Sequence, residues 1–324
     1  MSGRALVSGG AGFIGSHVAD LLLQEGYEVE ILDNLSSGRK ENVPQGAIFH
    51  QLDIASDEAA RVVLEGRFDV LFHLAAQIDV RKSVTDPVAD ARINILGTLN
   101  LLEAVRASGF ATRVIFSSTG GAIYGDFVPI PSVEDMPKDP ESPYGIAKLS
   151  AELYLAYYGR VHNVDTVALR YANVYGPRQD PHGEAGVVAI FCGRILQGRA
   201  LTIYGDGQQT RDYVYVGDVA EALWHAATRP LPPVGLLDAR GFNVGTGVGT
   251  SVVDMANILL EEAGTRVPLE FAPRRPGEAQ ESFVDIGKAE RLLGWKPRVT
   301  LREGLARSFR WAANRQAAPA PTPA

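Results

Sequence analysis

Ser8-Gly9-Gly10-Ala11-Gly12-Phe13-Ile14-Gly15 sets Gly9, Gly12 and Gly15 at three-residue spacing, directly between an apolar strand (residues 3–8) and a helical pattern (13–25). One glycine permits a tight turn, one lets backbone approach a pyrophosphate, and one lets the helix pack close on the strand. Outward from this turn, strand-like runs recur at 28–32, 48–52, 70–73, 114–117 and 166–169. Helical patterns fall between most of them, at 57–64, 87–108 and 143–161, with apolar Ile14, Val18, Leu21 and Leu22 marking the stripe of the first helix. Strands alternating with helices at this spacing predict an α/β fold with a doubly wound parallel sheet.

After Arg170 the rhythm changes. Pro, Gly and Asp cluster at 176–186, followed by a helix near 187–198, strands at 201–204 and 212–216, and helices near 218–228 and 251–263. The expected organisation is a dinucleotide-binding domain over 1–172 and a smaller mixed α/β substrate domain over 173–316. The chain is expected to return once to the sheet, and 317–324 to be a disordered Pro/Ala tail.

The chain of 324 residues is 46% apolar and 21% charged, enough for a sizeable core. A net charge of −7 argues against nucleic acid or anionic membrane as partner, so a phosphorylated ligand must be held by local cations and backbone N–H groups. No apolar run reaches membrane-spanning length and the N-terminus reads as no signal peptide, which predicts a cytoplasmic protein. The single cysteine, Cys192, sits in an apolar stretch and reads as a buried structural thiol.

Asp33 closes the second strand, twenty-one residues beyond Gly12. A carboxylate there accepts hydrogen bonds from the adenosine ribose hydroxyls and repels a 2′-phosphate, which favours NAD over NADP. Asp53-Ile54 and His73-Leu74-Ala75-Ala76 fall at further strand ends. Asp53 reads equally as a helix cap, and His73 as a packing residue. Tyr144 and Lys148 are four apart near a helix start, so both point to one face. A lysine ammonium and the positive ring of NAD stabilise phenolate, lowering the phenol's pKa toward neutrality and making a usable base. The hydroxyls of Ser117-Ser118-Thr119 lie at the end of the preceding strand.

The ordered set VSGGAGFIGS, DNLSSG, HLAAQ, SSTGGAIYGD, SPYGIAK, LRYANVYGPRQ, RDYVYVGDV, NVGTG and RRPGE resembles the extended short-chain dehydrogenases, in particular the UDP-glucose 4-epimerase branch, over all but the tail. The resemblance implies Tyr144 as base and Lys148 as its partner and nicotinamide-ribose ligand. It also implies a hydroxyl from Ser118 or Thr119; the loop is one residue longer than in many relatives, and Thr119 is preferred. Cofactor contacts are implied at Gly9, Gly12, Phe13, Ile14, Gly15, Asp33, Asn34, Ser37, Gly38, Asp53 and Ile54. Further ones fall at Leu74, Ala75, Ala76, Gln77, Asn94, Ser117, Tyr144, Lys148 and Tyr171. For a UDP-sugar it implies Arg211 and Arg275 on the diphosphate, where guanidinium forks suit phosphate oxygens. It adds Asn173, Val188, Thr202, Tyr204 against uracil, Tyr213, Glu278 on the uridine ribose, and Ser282. No metal is expected. Helices near 87–108 and 143–161 resemble those of the family's homodimer contact.

Related dehydratases follow the catalytic hydroxyl with an Asp-Glu pair, where this chain has Gly120-Gly121. Without those carboxylates the groups for elimination are missing, and removal and return of a hydride at C4 is the expected reaction. The alternatives are a UDP-glucuronate 4-epimerase, another NAD-dependent sugar-nucleotide enzyme, or a non-catalytic NAD-binding scaffold. The scaffold reading fits poorly with retention of both Tyr144 and Lys148. At Ser282, relatives restricted to glucose and galactose carry a tyrosine beside C2 of the sugar. A serine leaves room for an acetamido group there.

Overall fold

A computed structural model of the chain describes residues 3–125, 128–181, 186–274 and 279–317. The first half runs β1 (Arg4–Ser8), α1 (Phe13–Gln24), β2 (Glu28–Leu32), β3 (Ile48–His50), α2 (Asp57–Gly66) and β4 (Val70–His73). It continues with α3 (Val80–Thr85), α4 (Pro87–Ala91), a π-helical turn (Arg92–Leu96), α5 (Gly97–Ser108), β5 (Arg113–Thr119), α6 (Pro143–His162) and β6 (Asp165–Tyr171). Short elements follow: β7 (Asn173–Tyr175), α7 (Val187–Leu196), β8 (Leu201–Tyr204), β9 (Thr210–Arg211), β10 (Tyr213–Tyr215) and α8 (Val216–Thr228). The last group is β11 (Gly241–Val244), β12 (Thr250–Ser251), α9 (Val252–Ala263), β13 (Leu269–Ala272), β14 (Glu281–Ser282), α10 (Gly287–Leu293) and α11 (Leu301–Ala317).

Seven strands form one parallel sheet in the order β11-β6-β5-β4-β1-β2-β3. Side-chain alternation divides its core. Ala5 and Val7 join α1, α8 and α10 on one face through Val18, Leu22, Leu223 and Leu293, while Leu6 faces α2, α5 and α6 through Val63, Leu102 and Leu155. A one-residue slip of β1 would exchange these faces, so burial on both sides holds the register. A third cluster, carried by α7, α9, α11, β8 and β10, forms the core of the remaining half.

The helix expected over 87–108 forms, with a π turn at Arg92–Leu96 inside it, and is preceded by α3, which Asp79 caps by accepting from the Lys82 N–H. The strand expected at 212–216 forms as β10, and Asp212 just before it is where the chain changes sheets: the Asp212 N–H donates to Ser282 O, and its carbonyl accepts from Asn173. Ala317, expected to open the tail, closes α11, and the rest of that segment lies outside the described residues.

Candidate active site

Parallel strands end on a common edge, so the turn after β1 and the ends of β4, β5 and β6 open on one crevice. The glycines of the first turn meet separate steric demands. A Cβ on Gly9 (φ +74°) would lie 2.6 Å from the Ala75 nitrogen, and one on Gly15 would lie 2.1 Å from the Gly9 carbonyl oxygen. Gly12 is open except for the Gly9 oxygen, leaving a hollow a side chain would occupy. Gly12 is also the N-cap of α1, with no side-chain cap and no acidic residue in the first turn, so unpaired N–H groups face that hollow. This cradle fits a pyrophosphate.

Asp33 is buried and accepts from the N–H groups of Ala11 (3.1 Å) and Leu35 (2.8 Å); burial pushes its carboxyl up, and these bonds oppose the shift. A Cβ on Gly38 would strike the Asp33 carboxylate at 2.8 Å, which explains that glycine. Asn34 donates to Asp53, and Asp53 also accepts from Ala55, so Asp53 organises the loop between β3 and α2. Ser37, Phe13 and Ile14 flank the same turn, while Ile54 is buried against the position of Gly97. His73 is buried between Ser8 (2.7 Å) and Thr98 (2.9 Å), and burial pushes its imidazole down to about 3. A neutral ring is therefore a linker in the chain Ala75 N–H, Ser8, His73, Thr98, Asn94 carbonyl. Leu74 and Ala76 complete that strand end.

Tyr144 begins the second residue of α6, after the Ser142 N-cap, and its N–H donates to Ser83 of α3 (3.2 Å). Lys148, one turn on, is buried; its ammonium donates to the Ser117 carbonyl (2.9 Å) and stands 5.9 Å from the Tyr144 ring centroid. Burial pushes Lys148 down to about 8, against the pull of Asp90 and Glu152. Tyr144 is held above its usual range by burial and by the Asp90 carboxylate. The protein's own groups therefore raise the phenol instead of lowering it, through loss of water first and a nearby anion second.

The strand end separates the two hydroxyl alternatives. Ser118 donates to Glu152, itself paired with the fully buried Arg170 (2.6 Å), while Ser117 shares a hydrogen bond with the Tyr171 hydroxyl (2.9 Å). By alternation Thr119 lies on the Ser117 side of the strand. A Cβ on Gly120 would press Val284 (3.0 Å) and the carbonyls of Arg170 and Tyr171 (3.3 Å), so packing disfavours a carboxylate there.

On the opposite wall, Arg211 is the middle-strand residue paired with Thr250 on one side and Ser282 on the other. Buried Asp212 fixes this wall by accepting from Thr246 N–H (2.8 Å), Thr246 Oγ1 (2.6 Å) and Gly247 N–H (3.1 Å). Asn173 begins β7, exposed, and Tyr204 ends β8, half-buried. Val188 and Tyr213 put their side chains into the third core cluster, which leaves backbone as the part of Val188 at the uncapped start of α7. The Thr202 hydroxyl accepts from Arg194 (2.7 Å). Arg275 and Glu278 lie outside the described residues.

Two residues of this site escaped the sequence reading. Asp90, i, i+4 from Asn94, and Asp212, beside Arg211, both carry a spacing signal that buried networks share with ordinary exposed carboxylates.

The NAD dependent epimerase/dehydratase family matches residues 5–245. A UDP-glucose 4-epimerase of Mycolicibacterium smegmatis is 44% identical over 317 residues, covering 96% of this chain and 99% of the relative. The crystal structure of a Thermotoga maritima UDP-glucose 4-epimerase with UDP-glucose superposes with a TM-score of 0.91 at 46% identity, over 97% of this chain and 99% of that one. That of the Thermus thermophilus UDP-glucose 4-epimerase with NAD superposes with a TM-score of 0.87 at 45% identity, over 95% and 98%.

Proposed function

The chain belongs to the NAD dependent epimerase/dehydratase family, and from that premise we propose that it is a nucleotide-sugar epimerase that inverts C4 of a UDP-hexose using NAD. The observation that carries this reading is the Tyr144–Lys148 pair on α6, with Lys148 anchored on the Ser117 carbonyl at the end of β5, in the sheet whose first turn is the glycine cradle. Gly9, Gly12 and Gly15 would hold the pyrophosphate of NAD, Asp33 its adenosine ribose, and Lys148 its nicotinamide ribose. When bound, NAD supplies the hydride acceptor, the later hydride donor, and a positive ring charge that favours phenolate.

Tyr144, as phenolate, takes the proton of the 4-hydroxyl while the hydrogen on C4 departs with its electron pair. Thr119 shares the hydrogen bond to the 4-oxygen. The 4-keto sugar turns over between the walls and receives the hydride on its other face, and Tyr144 returns the proton to oxygen. No net redox partner is consumed. Arg211 and Arg275 anchor the diphosphate while the hexose swings, so binding energy resides on the part that does not react. Tyr204, Asn173 and Glu278 would serve the uridine and sugar ends. Ser282, beside Arg211 in the parallel register, leaves space for an acetamido group, and Phe283 packs by Gly249 and Thr210 on the alternate side of the strand.

A homodimer is supported by an unpartnered apolar row on α6 (Ile146, Leu153, Tyr157 and Val161) beside exposed Val84 and Val88. No described helix is long and apolar enough to cross a membrane. The decisive experiment incubates purified protein with UDP-glucose, UDP-N-acetylglucosamine and UDP-glucuronate, each without added NAD, and resolves the products. Formation of the 4-epimer of the first two supports the reading; conversion of UDP-glucuronate alone would replace it.

A further inference from the structure

Asp90 is 1% exposed on α4, next to the helix that carries Tyr144 and Lys148. Its Oδ1 accepts from the amides of Gln77 (2.9 Å) and Asn94 (3.0 Å), while Oδ2 is buried and accepts no hydrogen bond from the described residues. Gln77 and Asn94 lock each other in turn: the Gln77 N–H donates to Asn94 Oδ1 (2.9 Å) and Asn94 Nδ2 to the Gln77 carbonyl (2.9 Å). Asn94 reaches this position from within the π turn, a distortion that recurs at functional sites. A buried carboxylate with one oxygen unsatisfied opposes folding, so its presence calls for an explanation.

We propose that Asp90 is a positioning residue for the Tyr144–Lys148 pair: its buried charge is the counter-ion that keeps Lys148 an ammonium beside the phenol. This rests on the epimerase reading, in which phenolate and ammonium must coexist. The two amide bonds to Oδ1 do not require a charge, since an asparagine oxygen in the same place also accepts them, though more weakly. What only the carboxylate supplies is negative potential, felt by Lys148 and Tyr144. Glu152 of α6 adds a weaker pull on Lys148, but it is already paired with Arg170; Asp79 and Asp86 serve as helix N-caps, and Arg81, Lys82 and Arg92 are exposed.

The sign follows. A negative charge raises the pKa of both phenol and ammonium, so removing it lowers both. The active form appears as pH rises through the phenol's pKa and is lost through the ammonium's. In Asp90→Asn both limbs of the kcat/KM profile should therefore move to lower pH, by about one unit for loss of a nearby charge. Thermal stability should hold or rise, because an uncompensated charge is gone while both hydrogen bonds remain.

The test compares NAD-bound full-length wild type with Asp90→Asn and Asp90→Glu. Turnover is followed against pH, and the Tyr144 phenolate is titrated by ultraviolet difference against the same proteins carrying Tyr144→Phe. An acid shift in Asp90→Asn with retained NAD and an unshifted Asp90→Glu profile is expected. An Asp90→Asn profile superimposable on wild type, or lower by one factor at every pH, overturns the proposal. Should the asparagine variant not fold, a structural role is indicated and the proposal fails. If wild type interconverts no sugar, the epimerase reading fails alone, because the phenolate titration still reads Asp90.

Discussion

Ser117 to Thr119 end a seven-residue strand paired on both sides, whereas Arg211 closes a strand of two residues between two others of equal length. The cofactor wall inherits its geometry from a sheet packed on both faces, and its groups follow from strand ends and one helix start. The substrate wall has little strand to rely on. Its register depends on a buried carboxylate, Asp212, that ties the 245–247 loop to the strand switch. In the function proposed above, groups that react sit on the wall built from the large sheet, and groups that recognise sit on the wall assembled from distant pieces.

If that division of labour is right, Tyr144→Phe should reduce kcat by about 100-fold or more, within the reach of a positioned base, with NAD content and melting temperature unchanged. A turnover near wild type would take Tyr144 out of the chemistry. The opposite wall should show the opposite signature. Arg211→Leu is expected to raise KM for the UDP-sugar by roughly 10- to 100-fold, as loss of a hydrogen bond to a charged group implies, with a smaller effect on kcat. A fall in kcat at constant KM would break the comparison.

Ser282→Tyr sharpens it within the recognition wall. Filling the space proposed for an acetamido group should lower kcat/KM for UDP-N-acetylglucosamine by about tenfold, since overpacking costs about 1–3 kcal/mol, while UDP-glucose is spared. Equal losses on both sugars, or no wild-type activity on the acetylated one, would count against it. The smallest effect is expected for Asp33→Ala, a severalfold loss of NAD affinity with relaxed exclusion of NADP, as removal of about one net hydrogen bond implies. Calorimetric titration of both cofactors decides this: unchanged affinities would leave Asp33 as no more than the acceptor of the Ala11 and Leu35 N–H groups.

Much was legible without coordinates because the relevant physics is local. Gly9, Gly12 and Gly15 announce a turn with backbone needs that only glycine meets, alternating strands and helices announce a parallel sheet, and Tyr144 and Lys148 share a helix face by their spacing alone. Tertiary structure decided what depends on partners distant in sequence. It turned Ser118 toward Glu152, made Asp212 the point where the chain changes sheets, and set within the 87–108 helix a π turn that brings Asn94 to Gln77. It also buried Tyr144 and brought the Asp90 charge to bear on it, which together reverse the direction expected for the phenol from Lys148 alone. The physical reason is common to these cases. Which way a hydroxyl points and how far a pKa moves depend on burial and on charges brought together by folding, and neither quantity is a property of any short stretch of chain.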